Sequence, residues 1–513
     1  GAAPALVRRE GDIIIGVDLG TTAAKATAYR IGGPGGAVAL AAHEYPLLQP
    51  LPDRQVQDPE TIIGATQGAM RRVISEVGSE NVVAISCSTA MHGLVGLDAD
   101  ERPLTELVTW ADSRATDQAR GLVESGEAFH LHRRSGTPVH PMSPLVKLMW
   151  FAEQEPELCR KVRWWLDLKG WLLWNLTGEI AIDLSCASGT GLLDLSTRTW
   201  RPASLDLAGV TAEQLPPILS TTAVLPLGAV PARAVGLPTG LPVIAGAGDG
   251  PLGNLGTGAL APGVGGLSLG TSGALRTVVA EPTVDAEGRL FCYALTDDAW
   301  VVGGAISNGG IIGRWVLDLV GFRDDEELAK LAERVPAGAE GLVMIPMLLA
   351  ERAPLWDPSL HGSLLGLRRF HGRPHLARAA IEGVALQMSA IADSLNETGQ
   401  LSSIRATGGV FRSALWGQVL AAVLDIPLHV MSGAGGSALG AAALGVLGLG
   451  RADSLQSALL ALEPSAMDTD EPIPVDPRDV EVYRGVRANI GQLVAEQRRI
   501  AKLFQPPRHT RGG

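Results

Sequence analysis

Apolar and polar positions fall into short strand-like runs separated by amphipathic helical stretches, and their order predicts a mixed α/β protein. Ile13–Asp18 is a β-branched run ending in Asp-Leu-Gly-Thr-Thr, the pattern of a strand entering a tight turn. Ala24–Arg30 and Ala37–Pro46 resume strand patterning on either side of the Gly-Pro-Gly-Gly loop at residues 33–36, so the chain opens as a β-meander. Asp58-Pro59-Glu60 supplies an N-cap and a proline at the first helical position, and the apolar spacing through Val73 and Val77 predicts a helix. Val82–Thr89 is a strand, and alternation continues to Leu241–Ala245, a short buried strand bounded by Pro238-Thr-Gly-Leu-Pro242 and by the glycine-rich Gly246–Gly250.

That glycine-rich segment is the expected domain boundary, giving halves of residues 12–247 and 248–505. In the second half Gly266–Val279 reads as strand, turn and strand, and a helix from Pro374 to about Glu397 ends before Gly399. Ile404–Gly409 is a strand, Ser413–Leu424 a helix and Pro427–Met431 a strand, and Asp476-Pro477 starts a last helix that ends near Phe504. The residues before Asp12 read as a frayed tail.

One internal repeat stands out. Asp18-Leu-Gly-Thr-Thr-Ala-Ala-Lys-Ala-Thr27 aligns without gaps with Ser268-Leu-Gly-Thr-Ser-Gly-Ala-Leu-Arg-Thr277, in corresponding hairpins. Each puts a glycine and two hydroxyl residues in the turn, where backbone N–H groups form an anion nest and hydroxyls add donors to phosphate oxygens. Either turn alone is equally well an ordinary hairpin. In equivalent places of two halves, the pair favours gripping a polyphosphate. Only the first turn carries a carboxylate, Asp18, and a nucleotide site needs only one to hold hydrated Mg²⁺.

Composition narrows the class. The 513 residues are 46% hydrophobic, enough for large cores, and the 42 Lys+Arg against 54 Asp+Glu give a net charge of −12 with no basic run, which speaks against nucleic-acid binding. Cys87, Cys159, Cys186 and Cys292 are scattered without C-x-x-C spacing, so neither a disulfide framework nor a zinc site is expected, and a reducing cytoplasm fits. The first residues lack the apolar core of a signal peptide, and the most apolar stretch, Val419–Gly450, is broken by Asp425, His429 and many glycines, so neither export nor a membrane span is expected.

Gly248-Asp-Gly-Pro-Leu-Gly253 satisfies G-x-G-x-x-G, but Pro251 interrupts it and no acidic residue follows until Glu281, so it is not a dinucleotide fingerprint. Gly266-Leu-Ser-Leu-Gly270 matches G-x-S-x-G without the strand–turn–helix a nucleophile elbow needs, and no P-loop sequence exists. Asp249, a carboxylate at a strand end between glycines, is placed like a general base, or equally like a turn aspartate bonded to its own backbone. Thr407-Gly-Gly-Val-Phe-Arg-Ser413 brings glycines to a helix N-terminus, either for a flat ring or phosphate or as plain punctuation, and Gly433–Gly440 opens a small-residue helix suited to tight packing. Met91-His92-Gly93 and Trp110-Ala-Asp112-Ser-Arg114 offer polyol-reading groups beside an apolar wall, although a lone histidine is more often structural. Arg133, Arg134, His140 and Lys147 either meet a substrate carboxylate or form a solvated face.

Together these pieces resemble the FGGY family of carbohydrate kinases, within the actin-like and hexokinase-like ATPases, over nearly the whole chain. Met142-Ser-Pro-Leu-Val-Lys147-Leu-Met-Trp150-Phe-Ala-Glu-Gln154 looks like the family's first signature, and Gly362-Ser-Leu-Leu-Gly-Leu367 through His375-Leu and Ala379-Ala-Ile-Glu382 like its second. The resemblance implies an α/β, two-domain actin-like (ribonuclease H-like) fold of duplicated halves with a cleft between them. Within the family the gluconokinases are most similar, through Thr109–Arg114, Ser135–Met142, Phe291-Cys-Tyr-Ala-Leu295, Ser307–Ile311 and Glu351–Trp356. Xylulose kinases share Met91-His92 but resemble the other segments less.

The resemblance implies an ATP- and Mg²⁺-dependent phosphotransferase acting on the 6-hydroxyl of D-gluconate, with another sugar such as D-xylulose, or a non-catalytic sugar or nucleotide sensor, as the alternatives. It makes Asp249 the catalytic base and, with Asp18, a metal-side carboxylate; Thr21, Thr22 and Lys25 belong to the first phosphate turn, Gly270 and Thr271 to the second. Gly310, Arg314, Gly409 and Ser413 match nucleotide-contact positions, Arg314 and Ser413 standing where the glycerol kinase pattern has Gln and Asn. Met91, His92, Trp110, Asp112, Arg114, Lys147 and Asp249 are the expected sugar-side residues. The implied partner is a small sugar or sugar acid, and the implied assembly a homodimer.

Overall fold

The computed structural model describes residues 12–431 and 436–504; the residues before Asp12 and the first residues of the Gly433–Gly440 segment lie outside them. Contacts group the chain into two compact units, the first made of Gly1–Pro262, Thr277–Val302 and Gly433–Asp468, the second of Gly263–Arg276, Gly303–Ser432 and Thr469–Gly513.

The first unit opens with the expected meander: β1 (Ile13–Leu19), β2 (Ala23–Arg30) and β3 (Ala37–Glu44). Helix α1 (Pro59–Val77) follows, its N-terminus closed by the Asp58 carboxylate accepting from the Glu60 N–H. Then come β4 (Val82–Thr89), β5 (Val224–Pro226) and β6 (Pro242–Gly248), giving a six-stranded sheet in the order β5-β6-β4-β1-β2-β3. β1 is apolar from Ile13 to Val17 because both its faces are covered. Ile13, Ile15, Val17 and Leu19 join Ile62, Met70 and Val73 of α1 in one core, whereas Ile14 and Gly16 lie against helix α9 (Gly436–Gly448) on the other face. The same unit holds α2 (Pro144–Gln154), α3 (Leu168–Thr177), α4 (Leu184–Ser188) and α5 (Asp249–Gly256).

The glycine-rich Gly246–Gly250 is thus regular structure. The strand continues through Gly248 and the helix starts at the next residue. Pairing of β6 with β4 shifts register between Ile244 and Ala247, and Gly246 takes up the bulge at φ 77°, where a Cβ would overlap the Cys87 carbonyl oxygen.

In the second unit the hairpin of β7 (Val264–Leu269) and β8 (Gly273–Val279, in this unit as far as Arg276) repeats that of β1 and β2. β9 (Phe291–Thr296) and the start of β10 (Ala299–Ile306) belong to the first unit, and β10 ends in the second. With β11 (Ser403–Thr407) and β12 (Leu428–Val430), the second unit shows the strand order β10-β8-β7-β11-β12. Helices α6 (Ile311–Val320), α7 (Arg373–Asn396), α8 (Ala414–Leu424) and α10 (Pro477–Ala501) complete it. α7 is buried at every position from Ala377 to Ser389, as expected of a central helix. β11 stops at Thr407, short of the expected Gly409, because Gly408 turns at φ 124° against the Leu269 carbonyl and a 3-10 turn, Gly409–Arg412, precedes α8.

Candidate functional site

In the first unit β1, β4 and β6 run parallel and end at the same edge of the sheet. Loops at the carboxyl ends of parallel strands are where open α/β sheets bind ligands. This edge carries Asp18 near the end of β1, Met91 and His92 just after β4, and Asp249 just after β6. Asp18 pairs in register with Lys25 on β2 and with Ser88 on β4, whose hydroxyl donates to its carboxylate at 2.8 Å. Burial pushes the Asp18 carboxyl pKa up, against the Ser88 hydrogen bond and the Lys25 charge. Burial, and then the negative charges of Asp18 and Asp249, push the Tyr45 phenol up, so it remains a neutral donor.

The Gly20-Thr21-Thr22 turn is fixed from several sides. Tyr45 donates its hydroxyl to the Gly20 carbonyl and Gln57 its amide to the Thr21 carbonyl. The Trp110 indole N–H donates to the Thr21 hydroxyl at 3.0 Å, tying an expected sugar-side residue to the first phosphate turn. Lys25 stands exposed on β2.

The sugar-side candidates are largely engaged with one another. Lys147 is fully buried, and its Nζ donates to the carbonyls of His92 and Thr109, both at 2.7 Å. Burial lowers its pKa to about 7, with the Asp112 carboxylate opposing and the Arg114 guanidinium adding to the fall. Arg114 forks onto Asp112 at 2.8 and 3.0 Å and lies over the Trp150 ring, and Asp112 also accepts from the Gln55 N–H at 2.8 Å. His92, at φ 70°, has its Nδ1 2.8 Å from the Gly189 carbonyl, and Met91 packs where Gly248 and Gly189 leave room. His140 is buried and accepts from the Met142 N–H, while Arg133 and Arg134 are exposed. β9 lies beside this group: its Tyr293 ring is 5.7 Å from His92 and stacks on Phe291 at 4.3 Å, and its Ala294 N–H donates to Ser188 at 3.0 Å.

No local pattern in the sequence signals the buried cluster at the end of β6. Lys169 pairs with Asp183 at 2.8 Å with neither side chain exposed, and also donates to the Ala247 carbonyl at 3.1 Å. Asp183 caps α4, and Ser185 on that helix accepts from the Gly248 N–H at 3.1 Å. Aspartate before a short helix was a readable signal for the cap; the partners on β6 were not.

In the second unit the Gly270-Thr271-Ser272 turn is built into its surroundings by backbone. The Gly310 N–H donates to the Gly270 carbonyl at 2.7 Å and the Ile311 N–H to that of Thr271 at 3.3 Å, so the start of α6 is attached to the turn. A Cβ placed at Gly270 or at Gly409 would meet no atom within 4 Å, so both glycines border open space. Arg314 is exposed on α6, and the Ser413 hydroxyl before α8 is buried with no hydrogen-bond partner among the described residues.

These residues fit the expected ligands. Asp18 and Asp249 belong to one unit, and among the described residues no group of three or more His, Cys, Asp or Glu forms a metal cage. Two carboxylates without a cage suit Mg²⁺, which keeps most of its waters and binds with substrate phosphates. The open glycines and the unpartnered Ser413 hydroxyl suit a nucleotide. No helix among the described residues is long and apolar enough to cross a membrane.

Comparison with known proteins agrees with this construction. Residues 13–256 match the N-terminal domain, and residues 265–449 the C-terminal domain, of the FGGY family of carbohydrate kinases. The gluconokinase of Bacillus subtilis is 34% identical over 498 residues, covering 94% of this chain and 96% of that protein. Two crystal structures from Lactobacillus acidophilus, a gluconate kinase and a ligand-bound xylulose kinase, each superpose with a TM-score of 0.90 at 32% identity. Each covers 96% of this chain, matching 99% of the first and all of the second. The fold is therefore the two-domain, actin-like (ribonuclease H-like) α/β fold that the sequence implied, and the chain belongs to the FGGY family of carbohydrate kinases.

Proposed function

We propose that this sugar kinase transfers the γ-phosphoryl group of ATP to the 6-hydroxyl of D-gluconate, giving 6-phospho-D-gluconate and ADP. Asp249 accepts the hydroxyl proton as the sugar oxygen bonds to the γ-phosphorus and the bond from phosphorus to the leaving ADP oxygen breaks. Thr21, Thr22 and Lys25 hold phosphate oxygens from the first half of the chain, and Gly270 and Thr271 from the second, the halves dividing near residue 247. Asp18 and Asp249 would hold Mg²⁺, which would supply neutralisation of phosphate charge. Gly310, Arg314, Gly409 and Ser413 face the adenosine.

The observation that carries the gluconate reading is the position of β9. Its Phe291–Leu295 segment, one of those most like the gluconokinases, lies against His92 with Tyr293. Because Lys147 and Arg114 are held by carbonyls and by Asp112, the substrate carboxylate is met by oriented N–H groups rather than by a free lysine or arginine. The equal superposition on a xylulose kinase makes D-xylulose the rival.

ADP release with ATP and Mg²⁺, measured against D-gluconate, D-xylulose, L-ribulose and glycerol at equal concentrations, decides between them. Gluconate should give the highest kcat/KM. A preference for D-xylulose overturns the substrate, and ligand binding without ADP release favours a sensor. Asp249→Asn should lower kcat by at least about 10²-fold while ATP still binds.

A further inference from the structure

We infer that Lys169, Asp183 and Ser185, together with Ser437, are positioning residues that aim Asp249. The inference rests on Asp249 being the catalytic base. Four consecutive observations support it. Lys169 donates to the Ala247 carbonyl at 3.1 Å, Ser185 accepts from the Gly248 N–H at 3.1 Å, and Ser437 donates to the Asp249 carbonyl at 2.9 Å. The fourth is that Lys169 is itself held by Asp183, whose second oxygen accepts from the Cys186 N–H at 2.9 Å and so locks the helix that carries Ser185.

Two peptide units, the Ala247–Gly248 unit before Asp249 and the unit that follows it, are therefore gripped by side chains from α3, α4 and α9. Sheet pairing does not extend to Asp249 itself. The β6 strand pairs with β4 only as far as Gly248, after a bulge, and α5 begins at Asp249, so the residue sits where strand hydrogen bonds have ended and the helix ladder has not begun. A buried ion pair is an expensive way to hold a carbonyl, because both charges lose their water. Its use at the strand end beside the base, and the full burial of both partners, fit a requirement for geometry more than for stability. A displacement of about 1 Å in a reacting group can cost about 10²-fold in rate.

The cluster acts through Asp249, so its loss should lower kcat and spare both KM values. Ser185→Ala and Ser437→Ala each remove one hydroxyl, and Lys169→Met removes the clamp. Kinetics would be run on the full chain beside thermal unfolding, with Asp249→Asn as reference. Each serine variant is expected to lose about 10-fold in kcat, with KM for sugar and ATP nearly unchanged. In the Asp249→Asn background, Ser185→Ala should cause no further loss of the residual ADP release.

Wild-type kcat in both serine variants, or an equal loss with and without Asp249, would overturn the inference even with Asp249→Asn inactive. Wild-type turnover in Asp249→Asn would instead remove the base assignment and the inference with it. If Lys169→Met does not fold, the serine variants decide.

Discussion

Lys147 shows how burial changes what a residue does. In the sequence it is one of several basic groups available to a sugar acid; in the fold its ammonium bridges the carbonyls of His92 and Thr109, joining the loop after β4 to the loop that carries Trp110. Those partners lie 55 and 38 residues away, so no local pattern could reveal them. The strand end at Asp18 and the turn at Thr21 were legible because turn chemistry is local and the Gly-Thr turn is repeated. The depressed Lys147 pKa, about 7 against 10.5, has a thermodynamic consequence. Between those values the unfolded chain holds a proton that the folded chain has shed, so folding stability rises with pH there and is lost as pH falls toward 7. Denaturant unfolding of wild type and Lys147→Met should show the wild type gaining about 2 kcal/mol on the variant from pH 7 to 9. A gap that does not change with pH would show that the folded lysine keeps its ordinary pKa.

Elements were legible where their signals are local. Asp58-Pro59 starts α1, the β-branched run forms β4 over its expected residues, and both Gly-Thr turns join antiparallel hairpins. α5 was not legible, because Gly246–Gly250 has the composition of a loop and the helix depends on a partner far along the chain. That partner is α9, whose Ser437 reaches the Asp249 carbonyl across 188 residues. Glycines let the two helices approach almost backbone to backbone: a Cβ at Gly440 would overlap the Leu252 carbonyl oxygen, and one at Gly256 that of Gly436. Gly440→Ala should therefore cost about 1–3 kcal/mol by overpacking, despite alanine's better helix propensity. It should also lower kcat, since α5 carries Asp249 at its first position. Thermal unfolding and steady-state kinetics test both effects, and an equally stable, equally active variant would show that the helices separate at no cost.

At the scale of the molecule, a repeat of ten residues in the sequence becomes a repeat of whole sheets. The order β3-β2-β1-β4-β6 in one unit is matched by β10-β8-β7-β11-β12 in the other, each with an antiparallel hairpin beside a parallel strand. Most of this was invisible in the sequence because strand order is fixed by backbone pairing, which tolerates any side chains that keep the right faces apolar. Only the turns, which need particular residues, kept a recognisable likeness. They also kept a difference, Asp18 against Ser268, so that only the turn in the first unit carries a carboxylate and the second offers backbone N–H groups and hydroxyls. Substitutions should therefore separate by unit. Gly270→Val fills the open space beside the second turn without touching any expected sugar-side residue, all of which lie in the first unit. It should raise KM for ATP by about 10-fold or more, the loss expected when one well-placed phosphate contact is blocked. Sugar binding without nucleotide, followed by calorimetry, should stay at the wild-type value. Loss of sugar affinity in Gly270→Val with KM for ATP unchanged would contradict this division of labour.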